Sequence, residues 1–284
     1  MPTSKTACRI FAALTAMLLP SLALAQGALN GANTAWILAS TALVLFMTLP
    51  GLSLFYGGLV RTKNVLSVLM QCFSIAVVIS ILWLLVGYSI AFGPSDSAYW
   101  GGLSRALFAG IDLNLMSGDI PETVFAAFQM TFAIITPALV VGAFVERIKF
   151  SAMLLLCILW TLVVYLPVAN WVWGGGWLGQ MGLIDFAGGT VVHVTAGVAA
   201  LVTVIMLGPR KDFLSAATLP HNLTMSFTGA AMLWVSWFGF NAGSAIAADG
   251  ALMRSRNNRA WTSAIMMRKA IPCECEFGPI KSGR

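Results

Sequence analysis

The residues best suited to chemistry in this 284-residue chain lie in one short run, DFAGGTVVHVTAG, with Asp185 at its head and His193 eight positions later. A carboxylate just ahead of an apolar segment can accept hydrogen bonds from the unpaired N–H groups that open a helix, so Asp185 reads as an N-terminal cap. Gly188 and Gly189 permit close backbone approach between helices. Counted along a helix from Asp185, His193 lies about 12 Å in, at roughly 1.5 Å per residue. An imidazole within an apolar span is costly unless it is paired or faces a cavity. His193 is therefore either a working group in a conduit or a side chain hydrogen-bonded to a neighbouring helix. Metal chemistry lacks its ligand set, since no second His, Cys or carboxylate stands at ligand spacing. An enzyme built on His193 and Asp185 would need a nucleophile or metal constellation that the sequence does not offer, and no cofactor is implied.

The elements that must position these residues are membrane spans. The chain is 59% hydrophobic and 9% charged, with a mean hydropathy of +0.87. Such a composition belongs to polytopic membrane proteins rather than to a soluble core. Six apolar runs reach spanning length, at about 34–57, 66–92, 122–144, 150–168, 188–207 and 223–247. Separate apolar runs of this kind predict helices, because only helices or closed barrels satisfy their backbone in lipid. The fold class is thus all-α, a polytopic α-helical membrane protein. Residues 1–25 carry Lys5 and Arg9, an apolar run and Ala23-Leu24-Ala25, the pattern of a cleavable secretory signal. Residues 26–248 form the transmembrane domain. Residues 249–284 change character to RSRNNRAW and IPCECEFGPIKSGR and read as an atypical basic, disordered tail.

Loop charges set the orientation. Arg61 and Lys63, Arg147 and Lys149, and Arg210 and Lys211 fall in alternate loops, which the positive-inside tendency places in the cytoplasm. The loop between spans two and three holds Asp96, Asp112, Asp119 and Glu122 against Arg105, and Asp185 precedes span five, so these lie outside. A mature N-terminus left outside by signal cleavage agrees, and the expected location is a bacterial inner membrane. The basic tail, returned to the outside after six spans, opposes the tendency. The net charge of +6 does not indicate nucleic acid, since the bases sit in loops and tail with no basic face interleaved with aromatics. The five cysteines make no disulfide framework or zinc site, and the Asn222-Leu223-Thr224 sequon lies on the predicted cytoplasmic side.

The run DFAGGTVVH closely resembles the signature of the ammonium transporter family, the Amt/Mep/Rh superfamily. GLSLFYGGLVRTKNVLS, FQMTFAIITPALVVGAFVERIKFSA, VWGGGWL, LPHNLTM and WFGFNAGSA resemble the same family in the same order. The resemblance covers residues from about 34 to 247 and implies an ammonium-transporter-like fold. It assigns Trp173 and Ser244, with Phe132, to an external ammonium recruitment site. Such a site is physically sensible: an indole face attracts a compact cation, and a hydroxyl accepts an N–H bond that K⁺ cannot offer. It assigns Phe132 and Phe240 to a stacked pair closing the pore mouth, Asp185 to support of the site, and His193 to the first of two pore histidines that pass protons. The implied mechanism is recruitment of NH₄⁺, deprotonation, passage of NH₃ and proton relay, in a homotrimer that a PII-type signal protein can contact. Desolvating an intact cation in an apolar pore is expensive, which favours passage of the neutral molecule.

The family fold has eleven helices in two inverted five-helix repeats and a final helix, with the pore between the repeats. Against that pattern this sequence supplies the first repeat and one helix of the second, and it reads as truncated after the sixth mature helix. Its other histidine, His221, lies in the loop LPHN and is placed to cap or brace a helix. Beside ammonium transport stands an alternative expectation, a transport-inactive half-molecule that associates with full-length subunits.

Overall fold

The computed structural model describes residues 28–112, 114–210 and 219–248. The predicted signal, the tail and Lys211 lie outside the described residues. Among those described, six helices are long and apolar enough to cross a membrane: α1 (Gly31–Leu59), α2 (Thr62–Phe92), α3 (Glu122–Phe144), α4 (Phe150–Gln180), α5 (Gly189–Leu207) and α6 (Leu223–Ala242). The spans read from the sequence are all present. The sixth ends at Ala242 rather than near 247, because the chain turns there and Ile246 takes a positive φ of 56°. The fourth is continuous helix only to Val172 and resumes as the short turn Trp177–Gln180.

α3 is the centre of the bundle, with 72% of its most apolar window buried against 17% for α5. It packs against α1, α2 and α5, while α6 lies along α1 and α4 along α2. The α1–α6 crossing is close enough to need glycine: a Cβ on Gly229 would stand 2.3 Å from the backbone nitrogen of Phe55. Small residues at such crossings let backbones meet in lipid, where hydrophobicity alone does not hold helices together. Polar tips inside the bundle find carbonyls on neighbouring helices, as Tyr56 does on Leu139 at 2.9 Å and Trp83 on Ala126 at 3.1 Å.

Each end of the bundle is tied by polar side chains. At the outer end, Asn30 caps α1 by accepting from the backbone of Ala32 and Asn33. Asn33 donates to Asp119 at 2.6 Å and accepts from the backbone of Ala248, joining α1, the α2–α3 loop and the segment after α6. That loop contains a minimal hairpin of β1 (Met116–Ser117) and β2 (Ile120–Pro121). Glu122, in the first turn of α3, accepts from Tyr88 at 2.7 Å and pairs with Arg105 at 2.9 Å.

At the opposite end, the three loops predicted to share one side of the membrane meet on Glu146. Its carboxylate, 2% exposed, accepts from the backbone and Nε of Arg61, both at 3.2 Å, and from Asn64 at 2.6 Å. Arg210 lies 3.6 Å from its other oxygen. Burial alone would raise the Glu146 pKa. The hydrogen bonds from Asn64 and Arg61, with the Arg61 charge, outweigh it and hold the carboxyl below the usual range. Arg147 reaches the carbonyls of Ala143 and Gly208, and His221 meets the Val60 carbonyl at 2.8 Å, a bracing contact between the α5–α6 and α1–α2 loops. Asn222 of the sequon caps α6 by accepting from the backbone of Met225 at 2.8 Å.

Candidate functional site

Asp185 is folded back over the start of α5 and caps it with both oxygens. Oδ1 accepts from the backbone N–H of Gly188 and Gly189 at 2.8 and 2.6 Å, and Oδ2 from Thr190 and Val191 at 2.7 and 2.8 Å. Four orphan donors and the positive end of the helix dipole thus meet one carboxylate. Two expectations change here. The helix begins at Gly189, so His193 lies four residues into it rather than eight, which shortens its estimated depth to about 6 Å. Gly188 is required for conformation rather than for helix contact: its φ is 87°, and an added Cβ would sit 2.6 Å from Val192.

The first turn of α5 (Gly189–Val194) is a π-turn, as is the last segment of α6 (Phe238–Ala242). Such turns hold one residue more than an α-turn and occur often at functional sites. The wide turn in α5 brings the His193 ring back over Gly188, whose carbonyl lies 2.9 Å from Nδ1. A carbonyl only accepts, so Nδ1 carries the proton. In the neutral ring Nε2 is then left as the acceptor. Among the described residues His193 has this backbone partner and no second histidine beside it.

Trp173 ends the continuous part of α4. Its indole N–H donates to the Asp185 carbonyl at 2.7 Å, so the ring is fixed and its face, not its N–H, is offered to the surroundings. The Ser244 hydroxyl donates to the Phe240 carbonyl at 2.7 Å and keeps its lone pairs free to accept. Phe132 meets Trp173 edge to face at a centroid distance of 5.9 Å and stacks on Phe240 at 4.5 Å. Phe240 in turn meets the His193 ring in a T-shaped contact at 5.9 Å.

A cavity of about 440 Å³ at the outer end is lined by Phe128, Gln129, Phe132, Trp173, Asp185 and Ser244, among others. The order from this cavity inward is Trp173, Phe132, Phe240, His193. Phe132 and Phe240 are each 1% exposed and stand as a partition between the cavity and the imidazole, while His193 itself is exposed on a side of α5 that the described residues leave uncovered. The arrangement offers a compact cation aromatic faces, a hydroxyl acceptor and a nearby negative charge whose own oxygens are already engaged. All six residues expected from the sequence therefore gather in one region.

Gln129 was not anticipated, although its place three residues before Phe132 puts both on one face of α3. Glu146 was missed as well, and here a buried acid between basic loops was the available signal.

The comparisons with known proteins bear on the family and the fold. Residues 35–268 match the model of the Ammonium Transporter Family. An ammonium transporter of Bacillus subtilis is 52% identical over 214 residues, covering 75% of this chain and 52% of that protein. One from Aquifex aeolicus is 48% identical, covering 79% and 52%. The crystal structure of Candida albicans Mep2 superposes with a TM-score of 0.71 at 32% identity, over 85% of this chain and 52% of that one. A sensor Amt protein gives a TM-score of 0.73 at 28% identity, over 85% and 63%. The chain spans about half the length of the curated relatives it matches. With its six spanning helices, it belongs to the ammonium transporter family of multi-pass membrane proteins.

Proposed function

We propose that this chain takes part in ammonium transport, supplying the outer recruitment site and the first part of the conduit. The observation that supports the reading is the unbroken line from the outer cavity through Trp173, Phe132 and Phe240 to His193. NH₄⁺ enters the cavity, where the Trp173 and Phe132 rings attract its charge and Ser244 accepts one of its N–H groups. The Phe132–Phe240 partition excludes the hydrated ion. At the partition one N–H bond of the cation breaks, its proton passing to Nε2 of His193 and neutral NH₃ continuing, since an apolar passage penalises charge far more than the neutral molecule. His193, with Nε2 free to accept, holds the proton in transit. Asp185 contributes by fixing the start of α5 and by its negative charge. The basic loops at Arg61, Arg147 and Arg210 face the cytoplasm of a bacterial inner membrane, and the Asp185 end and mature N-terminus face outward. A homotrimer and contact with a PII-type signal protein accompany the reading for the whole protein, and cross-linking and co-purification test them.

The full chain in proteoliposomes, given an inward ammonium gradient, tests transport directly. Passage of NH₃ raises the internal pH faster than in empty vesicles, passage with the proton gives a current, and K⁺ gives neither. His193→Ala abolishes the current. Fluxes and currents equal to those of empty vesicles would overturn the proposal.

A further inference from the structure

The outer cavity contains a polar group that the ammonium-transport reading does not use. Gln129 lines the cavity wall and is 8% exposed, yet its Oε1 is sealed from solvent and has no hydrogen-bond partner. Neither end of its amide bonds to another described residue. A buried acceptor left without a donor is costly, about 1–3 kcal/mol, and such groups in folded chains call for a reason. Because the amide holds no partner, a half-turn about its last side-chain bond breaks nothing and exchanges the positions of oxygen and nitrogen. Its place on α3 is equally specific. Gln129 precedes Phe132 by one turn on the outer side, directly above the partition.

We infer that Gln129 is a further binding residue for the cation in the outer cavity, its Oε1 accepting an N–H of ammonium. The inference rests on the reading of this cavity as the recruitment site. Ammonium presents four donors in a tetrahedron. The aromatic faces of Trp173 and Phe132 and the Ser244 oxygen occupy some of them and leave one for an acceptor on the α3 wall. An amide oxygen suits this position better than a carboxylate, because it attracts the cation without trapping it by full charge above a gate it must leave.

The test uses the full chain in lipid nanodiscs, titrated with ammonium chloride against potassium chloride. The readout is tryptophan fluorescence, and Trp173→Phe identifies the part of the signal that comes from the cavity. Gln129→Met keeps length without an acceptor, Gln129→Leu is a second apolar variant, and Gln129→Glu restores an acceptor. Thermal unfolding selects the variants that fold. The expected result is an ammonium response in the wild-type chain, half-saturation about tenfold higher in the apolar variants, and recovery to within about twofold in Gln129→Glu, in line with the strength of a hydrogen bond to a charged group. A response weakened by Ser244→Ala but unchanged by both apolar variants overturns the role of Gln129 alone, leaving an amide that water satisfies. No ammonium response in the wild-type chain overturns the recruitment reading and this inference together.

Discussion

Replacing Asp185 by alanine should destabilise α5 at its first turn and displace His193 with it. The carboxylate accepts four backbone N–H groups at 2.6–2.8 Å, so its removal uncovers every orphan donor at that end at once. Loss of a capping side chain costs about 0.5–2 kcal/mol. Loss of a negative charge at a helix N-terminus adds about 0.3–1 kcal/mol, and as much as ~2 in a partly buried setting. The sum is roughly 1–4 kcal/mol, toward the upper end because all four donors lose their acceptor together. Asp185→Asn keeps one oxygen but turns an NH₂ group toward two of the four donors, so it should recover less than half of the loss. Reversible unfolding of the purified chain in mixed micelles measures these differences. A fluorine label near His193 should also report a second environment in Asp185→Ala. Wild-type stability in Asp185→Ala, with the label unmoved, would refute the claim that this carboxylate defines the start of α5.

Gly188→Ala should lose about 1–3 kcal/mol in the same unfolding assay, since φ is 87° and the new Cβ meets Val192. Glu146 gives a pH signature. Its folded pKa lies below the ordinary value of about 4.3, so its contribution is complete above that value and disappears as pH falls through the folded pKa. Between pH 5 and 3 the wild-type chain should therefore lose more stability than Glu146→Gln. The difference stays modest, because Arg61 and Arg210 are 41% and 38% exposed and their pairing is screened by solvent. Phe240→Ala should remove one ring of the pair that separates the cavity from His193. The variant's stability should fall by about 3–5 kcal/mol, the usual cost of emptying a buried phenylalanine site.

The spans were legible because about 20 apolar residues in a row admit few structures in lipid. That the basic loops share one end was also legible, since Arg61, the Glu146 loop and Arg210 do meet there. Asp185 and His193 were legible from residue type and place, while Trp173, Phe132, Phe240 and Ser244 were recognisable only through resemblance. Trp173 and Ser244 lie 71 positions apart in the sequence, and no local spacing joins them. The depth of His193 was misjudged because a single glycine in a left-handed conformation delays the helix, and hydropathy is blind to backbone dihedrals. Gln129 was overlooked for a related reason. One amide in a largely apolar span looks like a tolerated exception until its neighbours show that no described residue satisfies it.

The π-turns carry a consequence for how this chain tolerates change in length. Each one stores an extra residue, so a one-residue deletion inside it can heal into ordinary α-helix with its hydrogen bonds intact. Because the wide turn already absorbs that residue, the helix beyond it keeps nearly the same rotational register. A deletion in the regular α-helical part of α5 or α6 has no such slack and turns everything beyond it by about 100°, because one residue is about 1/3.6 of a turn. In α6 such a deletion would swing Ser244 away from the cavity, whereas one at Phe238 in the wide turn would leave it nearly in place. Tolerance to a change in length is therefore uneven along these helices, a property that substitution scanning would not reveal.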